Sequence, residues 1–356
     1  MNSKHLRTNI EHWLQRQWQK RGVWAWSMAP LALLFGLILK VRAMLRQHRF
    51  AHRSFSIPVV IVGNIYIGGT GKTPVVIALV KQLRALGWNP GVISRGYGTR
   101  IGDKPLVGQG HLEASLFGDE PTLIARESGA PIAVHPDRRT AYFCLLERHP
   151  EIDVVISDDG LQHLRLHREI EIVVQDDRGI GNGWLLPAGP LREPACRLNT
   201  VQAIITRTEV SAPPPASKLS TLTRETAASL RIVQFRNLAS GQLLDLQSFL
   251  SLVKERKVTA VAGIANPSRF FTSLHKQGIE LSEPRALADH FTFNDSPFKS
   301  ISADMILITA KDAVKCEKMT DQRLWVAEAE MTFSDPDFLT WLDHLLKEKS
   351  GRPRND

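Results

Sequence analysis

Cysteine is scarce in this sequence: Cys144, Cys196 and Cys316 are the only three in 356 residues, odd in number and widely spaced. That excludes a disulfide framework, offers no zinc spacing, and suits a reducing compartment. Acidic residues are nearly missing from the first 53 positions, where Glu11 stands against ten Lys and Arg. The net charge of +9 therefore belongs to that segment, and the rest of the chain carries 35 charges of each sign. A nucleic-acid binder would spread its basic residues over a folded face, so no nucleic-acid partner is expected. A full-length membrane span is wanting too. The N-terminal apolar stretch, residues 23–39, has 17 uncharged residues, about 26 Å as a helix against the roughly 30 Å of a bilayer core.

What the N-terminus does have is tryptophan and positive charge together. Trp13, Trp18, Trp24 and Trp26 precede a leucine-rich run interrupted by Pro30 and Gly36, which weaken a helix there, and charge resumes at Lys40. Positive flanks at both ends give a span no clean orientation. The polar leader is too long for a signal peptide. The composition favours a monotopic anchor, with apolar residues in one leaflet, Trp at the headgroups and Lys and Arg on anionic lipid. A short transmembrane helix and a buried hairpin are the alternatives.

The most informative stretch follows. Val59 to Val62 is a β-branched run that reads as a buried parallel strand. It empties into Gly63-Asn64-Ile65-Tyr66-Ile67-Gly68-Gly69-Thr70-Gly71-Lys72-Thr73-Pro74, and helical spacing continues to Leu86. Pro74 sits in the first turn, where its missing N–H costs nothing. Strand, glycine loop, Gly-Lys-Thr and helix describe a phosphate cradle, in which backbone N–H groups and the helix dipole converge on an anion. Gly68, Gly69, Thr70 and Gly71 form its wall, Lys72 reaches the outer phosphates, and the Thr73 hydroxyl suits Mg²⁺. The general pattern wants a glycine where Tyr66 stands, so Gly68 and Gly69 are expected to take over the tight turn.

Further strand ends carry polar groups. The strand 90–94 ends in Ser94-Arg95-Gly96-Tyr97-Gly98, either contacts for phosphate and a base or sugar, or a plain glycine turn. Gly118-Asp119-Glu120-Pro121 opens a helix, its acids either caps or chemistry. Asp137-Arg138-Arg139 begins another helix. The strand 154–158 ends in Asp158-Asp159, the position from which a carboxylate serves the Mg²⁺ shell in P-loop enzymes; Gln162 and His163 follow closely. The Gly/Pro-rich loop 179–194 holds Pro187-Ala188-Gly189-Pro190-Leu191-Arg192-Glu193-Pro194, where stiffness could hold Arg192 near a transferring phosphate or simply link two elements.

Together these motifs resemble one family, the tetraacyldisaccharide 4′-kinases of lipid A synthesis. Gly263-Ile264-Ala265-Asn266-Pro267, Ala288-Asp289-His290-Phe291 and Thr309-Ala310-Lys311-Asp312-Ala313-Val314-Lys315 extend the likeness to about residue 330. The resemblance implies an ATP- and Mg²⁺-dependent kinase at the cytoplasmic face of a Gram-negative inner membrane. Such an enzyme phosphorylates the 4′-hydroxyl of a tetraacylated disaccharide 1-phosphate and gives lipid IVA. By motif, Lys72 and Thr73 serve the nucleotide and metal, with Asp158 at the metal. Asp119 is the base, partnered by His290, and Arg192 neutralises the phosphoryl group. Tyr97 goes with the nucleotide; Ser94, Arg95, Glu120, Arg139, Asp159, Gln162 and His163 support nucleotide or headgroup. A membrane-attached P-loop NTPase switch is the rival from another class, but it would not need a base for an alcohol.

The expected architecture is α/β: a P-loop NTPase-like parallel sheet with helices on both faces, a second smaller α/β domain, and an N-terminal membrane-associating helix. The boundaries read as 1–53 for the anchor, 54–199 for the kinase domain, 200–330 for the domain closing the cleft, and 331–356 for a C-terminal helix and tail. The Pro/Ser/Thr-rich residues 211–220 read as a linker, and the charged tail from Lys347 as disordered. No obligate protein partner is evident.

Overall fold

A computed structural model describes residues 13–49, 55–96, 99, 101–163, 165–208, 223–289, 291–293 and 296–351, with backbone alone at 43 and 45–49. The expected linker 211–220, Tyr97 and His290 lie outside the described residues. Among the described residues the strands are β1 (Val59–Gly63), β2 (Pro90–Ser94), β3 (Leu106–Gly108), β4 (Ile132–Val134), β5 (Val154–Asp158), β6 (Ile170–Asp176), β7 (Ala203–Arg207), β8 (Arg224–Asn237), β9 (Leu243–Asp245), β10 (Val258–Ala262), β11 (Arg285–Ala286), β12 (Met305–Thr309) and β13 (Leu324–Phe333). They form one continuous sheet in the order β11-β10-β12-β13-β8-β7-β6-β1-β5-β2-β4-β3, with β9 on β8.

The sheet consists of two parallel blocks. In the first, β7, β6, β1, β5, β2 and β4 run parallel; in the second, β11, β10, β12 and β13 do. The strands β1 and β5, apolar but for Ser157 and Asp158 at the end of β5, lie at the centre of the first block and are buried along their whole length, as expected of strands covered on both faces. An antiparallel seam joins the blocks: β13 pairs with β8 from Trp325↔Asn237 to Phe333↔Ala228, with a register shift between Glu328 and Ala329. The stretch 231–235 by itself suggests only a short strand. β8 runs 14 residues because its start pairs with β7 and its end with β9.

Helices cover the first block on both faces. On one, α2 (Lys72–Ala85), α3 (Asp119–Ser128) and α7 (Phe338–Ser350) enclose a core of Val75, Leu79, Leu83, Ile124, Leu342 and Leu346 over the strands. On the other, α4 (Arg138–Arg148) contributes Ala141, Tyr142 and Leu145. The second block has its own cores, one with α5 (Leu246–Val253) and α6 (Pro267–Lys276) on one face and one around Phe293, Phe298 and Ile308 on the other. β7, which a boundary at 200 assigns to the second half, fills the first block's cores with Ala203, Ile204 and Ile205.

Two expectations are corrected. The tail is helical beyond Lys347, to Ser350, because Leu346 is fully buried and Lys347 Nζ meets Asp343 one turn back at 2.9 Å. Gly351, in the left-handed conformation, ends the helix. At the N-terminus, α1 (Val23–Arg49) runs 27 residues straight through Pro30 and Gly36. Gly36 lets the helix approach Leu185, whose Cδ1 would lie 3.0 Å from an added Cβ. Ala25 and Ala32 face inward with it, while Leu31, Leu33, Leu34, Leu37 and Ile38 remain exposed.

Candidate active site

Each strand of the first block delivers its last residues to one edge, where open α/β sheets bind ligands. After β1 the chain does not turn at once. Ile65 to Ile67 runs extended beside the Gly/Pro-rich loop: Tyr66 bridges Leu191, Ile67 N donates to Pro190 O at 2.9 Å, and Arg192 N donates to Ile65 O at 2.7 Å. Tyr66 is buried beneath this arm, with the Arg178 guanidinium 4.6 Å above its ring. The first glycine of the general pattern is therefore not needed. The turn comes at Gly68 (φ 104) and Gly71 (φ 73). Asn64 pins it from within, its Nδ2 donating to Gly68 O at 3.3 Å and Thr70 Oγ1 at 3.2 Å. Gly71 caps α2, so Lys72 and Thr73 occupy its first turn.

Lys72 and Arg192 converge on one carboxylate. Lys72 Nζ lies 3.2 Å from Asp159 Oδ1 and Arg192 Nη1 lies 3.8 Å from Asp159 Oδ2. Burial would raise the Asp159 pKa, but Lys72 and Arg192 outweigh it and hold the carboxyl below its ordinary range. Gln162 fixes Arg192 in turn, since Gln162 Nε2 donates to Asn64 O and Glu193 Oε1 and its Oε1 accepts from Arg192 at 3.3 Å. Two cations are thus aimed at the cradle mouth from different elements.

Asp158 behaves differently from its neighbour. It is buried, accepts from Ser94 Oγ at 3.3 Å, and is pushed up to about 7 by burial and by the charges of Glu120 and Asp159. Ser94 is thereby tied to this carboxylate. Arg138 shares the pocket: its Nη2 donates to Asp158 O at 3.2 Å, and burial lowers its pKa to about 10. The sequence reading singled out Arg139 for this helix. The structure turns Arg139 outward over the Phe143 ring, 5.8 Å away, and buries Arg138. The signal was available, since Arg138 shares a helical face with the buried Ala141, Tyr142 and Leu145. His163 Nε2 sits 3.5 Å from Asp137 Oδ1, and burial lowers its pKa. Arg95 is exposed at the rim.

Asp119 and Glu120 open α3 without capping it; Gly118 is the N-cap, and no side chain bonds there. Both acids meet cations from the second block, Asp119 Oδ2 at 3.0 Å from Lys315 Nζ and Glu120 Oε1 at 3.3 Å from Lys311 Nζ. The blocks also meet at the cradle. Ala265 Cβ would stand 3.2 Å from a Cβ on Gly69, and Arg269 reaches Asp177 at 2.5 Å. No local signal marks Asn64 as a pin, Arg178 as a donor to Gly69 O at 3.1 Å, or Arg207 as packed against Gly71. Arg178 and Arg207 act through contacts far away in the chain, whereas Asn64 acts within its own loop. Among the described residues no three His, Cys, Asp or Glu side chains form a metal cluster by themselves.

Comparison with known proteins is consistent with this geometry. The family model for LpxK, tetraacyldisaccharide-1-P 4′-kinase, matches residues 24–347. A tetraacyldisaccharide 4′-kinase of Bordetella parapertussis is 50% identical over 341 residues, covering 94% of this chain and 96% of its own. One from Herminiimonas arsenicoxydans is 42% identical over 337 residues, covering 92% and 94%. Among solved structures, LpxK from Aquifex aeolicus in complex with ATP superimposes with a TM-score of 0.75 at 25% identity, over 91% of this chain and 98% of that one.

Proposed function

Since this chain belongs to the tetraacyldisaccharide-1-P 4′-kinase family and is an ATP-using kinase of lipid A synthesis, we propose how its residues divide the work. The cradle from Gly68 to Thr73 holds the triphosphate, with Lys72 and Arg192 neutralising charge on the transferring phosphoryl group. Asp119, across the cleft, accepts the proton of the 4′-hydroxyl as its oxygen attacks the γ-phosphorus and ADP departs. Phosphoryl transfer asks the protein for positioning and charge neutralisation more than for covalent chemistry. The observation that carries this assignment is the convergence of Lys72 and Arg192 on Asp159, with the first turn of α3 close enough that the Glu120 charge acts on Asp158.

Mg²⁺ fits the same site. Asp158, buried beside Glu120 and Asp159 and pushed up to about 7, marks a local surplus of negative charge that a divalent cation relieves. Thr73 and Asp158 would hold the ion, which when bound neutralises phosphate charge. A P-loop ion takes most of its ligands from phosphate and water, so no protein cluster is required.

We also assign α1 to the membrane. Its stretch Val23–Arg42 has a mean hydropathy of 1.6, and its outward leucines are followed by exposed Lys40 and Arg42. An acceptor with four acyl chains stays in the bilayer, so an enzyme docked on the cytoplasmic face of the inner membrane, with α1 sunk into one leaflet, meets it there. The lipid disaccharide and the membrane surface are then its partners.

The test is transfer from labelled ATP to detergent-dispersed tetraacyldisaccharide 1-phosphate. Asp119→Ala is expected to lose transfer by about 10²-fold or more, in the range of a general base, while ATP affinity stays within about twofold. Loss of both together would move Asp119 into the nucleotide site, and ATP turnover indifferent to lipid would favour an NTPase switch.

A further inference from the structure

The segment from Thr309 to Lys315 carries part of the family likeness but takes no part in the cradle. It follows β12, and its two lysines, four residues apart and so on one side of a turn, cross to the first turn of α3. Lys315 Nζ lies 3.0 Å from Asp119 Oδ2; Lys311 Nζ lies 3.3 Å from Glu120 Oε1 and 3.6 Å from Asp289 Oδ1. Farther along, Arg126 meets Glu317 at 2.8 Å. The Lys315 side chain is only 7% exposed. Phe293, held at φ 55 where an aromatic residue is strained, lays its ring 5.9 Å from the ammonium. An ammonium taken this far out of water is costly unless a specific partner compensates it. A contact serving only to clip two blocks together could have been made at the wet rim, as Arg126 and Glu317 make theirs.

We propose that Lys315 is a positioning residue for Asp119: its ammonium keeps the carboxylate ionised and fixed in orientation, so the base is ready only when the second block lies against α3. The proposal rests on the reading of Asp119 as the base. In the step it serves, the 4′-hydroxyl O–H bond breaks and its proton bonds to Asp119. The 4′-oxygen forms a bond to the γ-phosphorus, whose bond to the bridging oxygen breaks to release ADP. Charged groups around Asp119 are Glu120 on its own helix, Lys311, Asp312 and Lys315 on the facing segment, and Asp289 on the loop before β12. Asp158, which feels Glu120, lies on the cradle side with Lys72. Lys315 is a cation in direct contact with Asp119, while Lys311 is held by Glu120 and Asp289.

The experiment is a pH series of kcat and KM for both substrates, on the full-length enzyme in detergent micelles, for Lys315→Met, Lys315→Arg and Asp119→Asn. A cation this close lowers a carboxyl pKa by about 1–3 units, so Lys315→Met should move the acid limb of kcat upward by about that much. Its kcat at neutral pH should fall at least tenfold while KM for ATP changes less than twofold. Lys315→Arg should return the limb toward the wild-type position. An acid limb that stays in place in Lys315→Met, whatever happens to kcat, makes the contact a structural clip and overturns the proposal. If Lys315→Met does not fold, Lys315→Gln, which keeps a donor without the charge, is read by the same criterion. Asp119→Asn separates the two levels. An active Asp119→Asn sinks the base itself, whereas an inactive one with an unmoved Lys315 limb sinks only the role given to Lys315.

Discussion

Gly71→Ala is the substitution whose cost the structure allows to be worked through. Gly71 caps α2 at φ 73, a left-handed conformation that costs an L-residue with a Cβ about 1–2 kcal/mol. The new methyl would also stand 1.7 Å from Arg207 Nη1 and 2.8 Å from its Cδ. The guanidinium must therefore swing away. Its Nε is buried with no hydrogen-bond partner, so it gives up no bond there, and the displacement costs about 0.5–1.5 kcal/mol of rotamer strain. Alanine can escape the left-handed region only by reopening the turn that aims the backbone N–H groups at phosphate, so the cost falls on nucleotide binding. Together the two contributions make about 1.5–3.5 kcal/mol, or roughly 10- to 300-fold in ATP affinity. Titration calorimetry with ATP on the purified protein reads this directly. In Gly71→Ala/Arg207→Ala the clash is gone and the backbone strain remains, so about 2- to 10-fold of the affinity should return. A single variant binding ATP within threefold of wild type, or a double variant no tighter than the single, would refute the reasoning.

Two further outcomes are expected. Leu34→Asp/Leu37→Asp places two negative charges on the outward face of α1, away from the docked Ala25, Ala32 and Gly36. It should release the enzyme from anionic vesicles in a flotation assay, with ATP affinity in detergent changed less than twofold; co-flotation equal to wild type would contradict the anchor. Glu171 is buried between Arg197 and Arg168, and although burial alone would raise its pKa, the two guanidinium groups hold it below the ordinary 4.5. A depressed folded value means stability present above the unfolded pKa and lost as pH falls through the folded one. Glu171→Gln should therefore cost about 1–3 kcal/mol in urea unfolding at pH 7, with the gap to wild type closing below pH 4.5; a gap independent of pH would argue against it.

Much of the first block was legible because its signals are local. The strands from Val59, Val154 and Ile170 are short apolar runs bounded by turn residues, and the helix after Gly71 follows from Lys72-Thr73-Pro74. The seam was not legible: β8 and β13 alternate charged and apolar residues through Arg231, Arg236, Glu328 and Glu330, a pattern shared with any exposed strand, and only their partners over 85 to 105 positions away fix them. Tyr66 looked like a defect when set against a general P-loop pattern. It became intelligible through Leu191, which no local rule connects to it. Arg138 and Arg139 stand side by side at the start of α4. Both have the right chemistry, and helical phase decides which one is buried.

The Gly/Pro-rich loop from Gly179 to Pro194, which by composition alone is a linker, is where the anchor and the chemistry meet. On its outer side Trp18 Nε1 donates to Pro187 O at 3.0 Å, Asn182 N donates to Trp18 O at 2.8 Å, and Trp26 packs edge-on to Trp184 at 4.8 Å. On its inner side the backbone of Pro190, Leu191 and Arg192 is zipped to Ile65–Ile67, the extended arm of the cradle. Arg192 leaves that zipper to meet Asp159, where Lys72 waits from the other direction. Most joints in this line are backbone hydrogen bonds or edge-on ring contacts, and few are flexible side-chain contacts. The N-terminal segment and the Arg192 cation are thus joined through one stiff loop. Such rigidity matters because the acceptor hydroxyl sits at a height set by its acyl chains, and a misplacement of about 1 Å can cost on the order of 10²-fold in rate. Proline and glycine serve this loop for opposite reasons: proline removes freedom between the two contacts, and glycine at 181 and 189 lets Trp18 and Trp184 backbones approach within 3 Å of where a Cβ would stand.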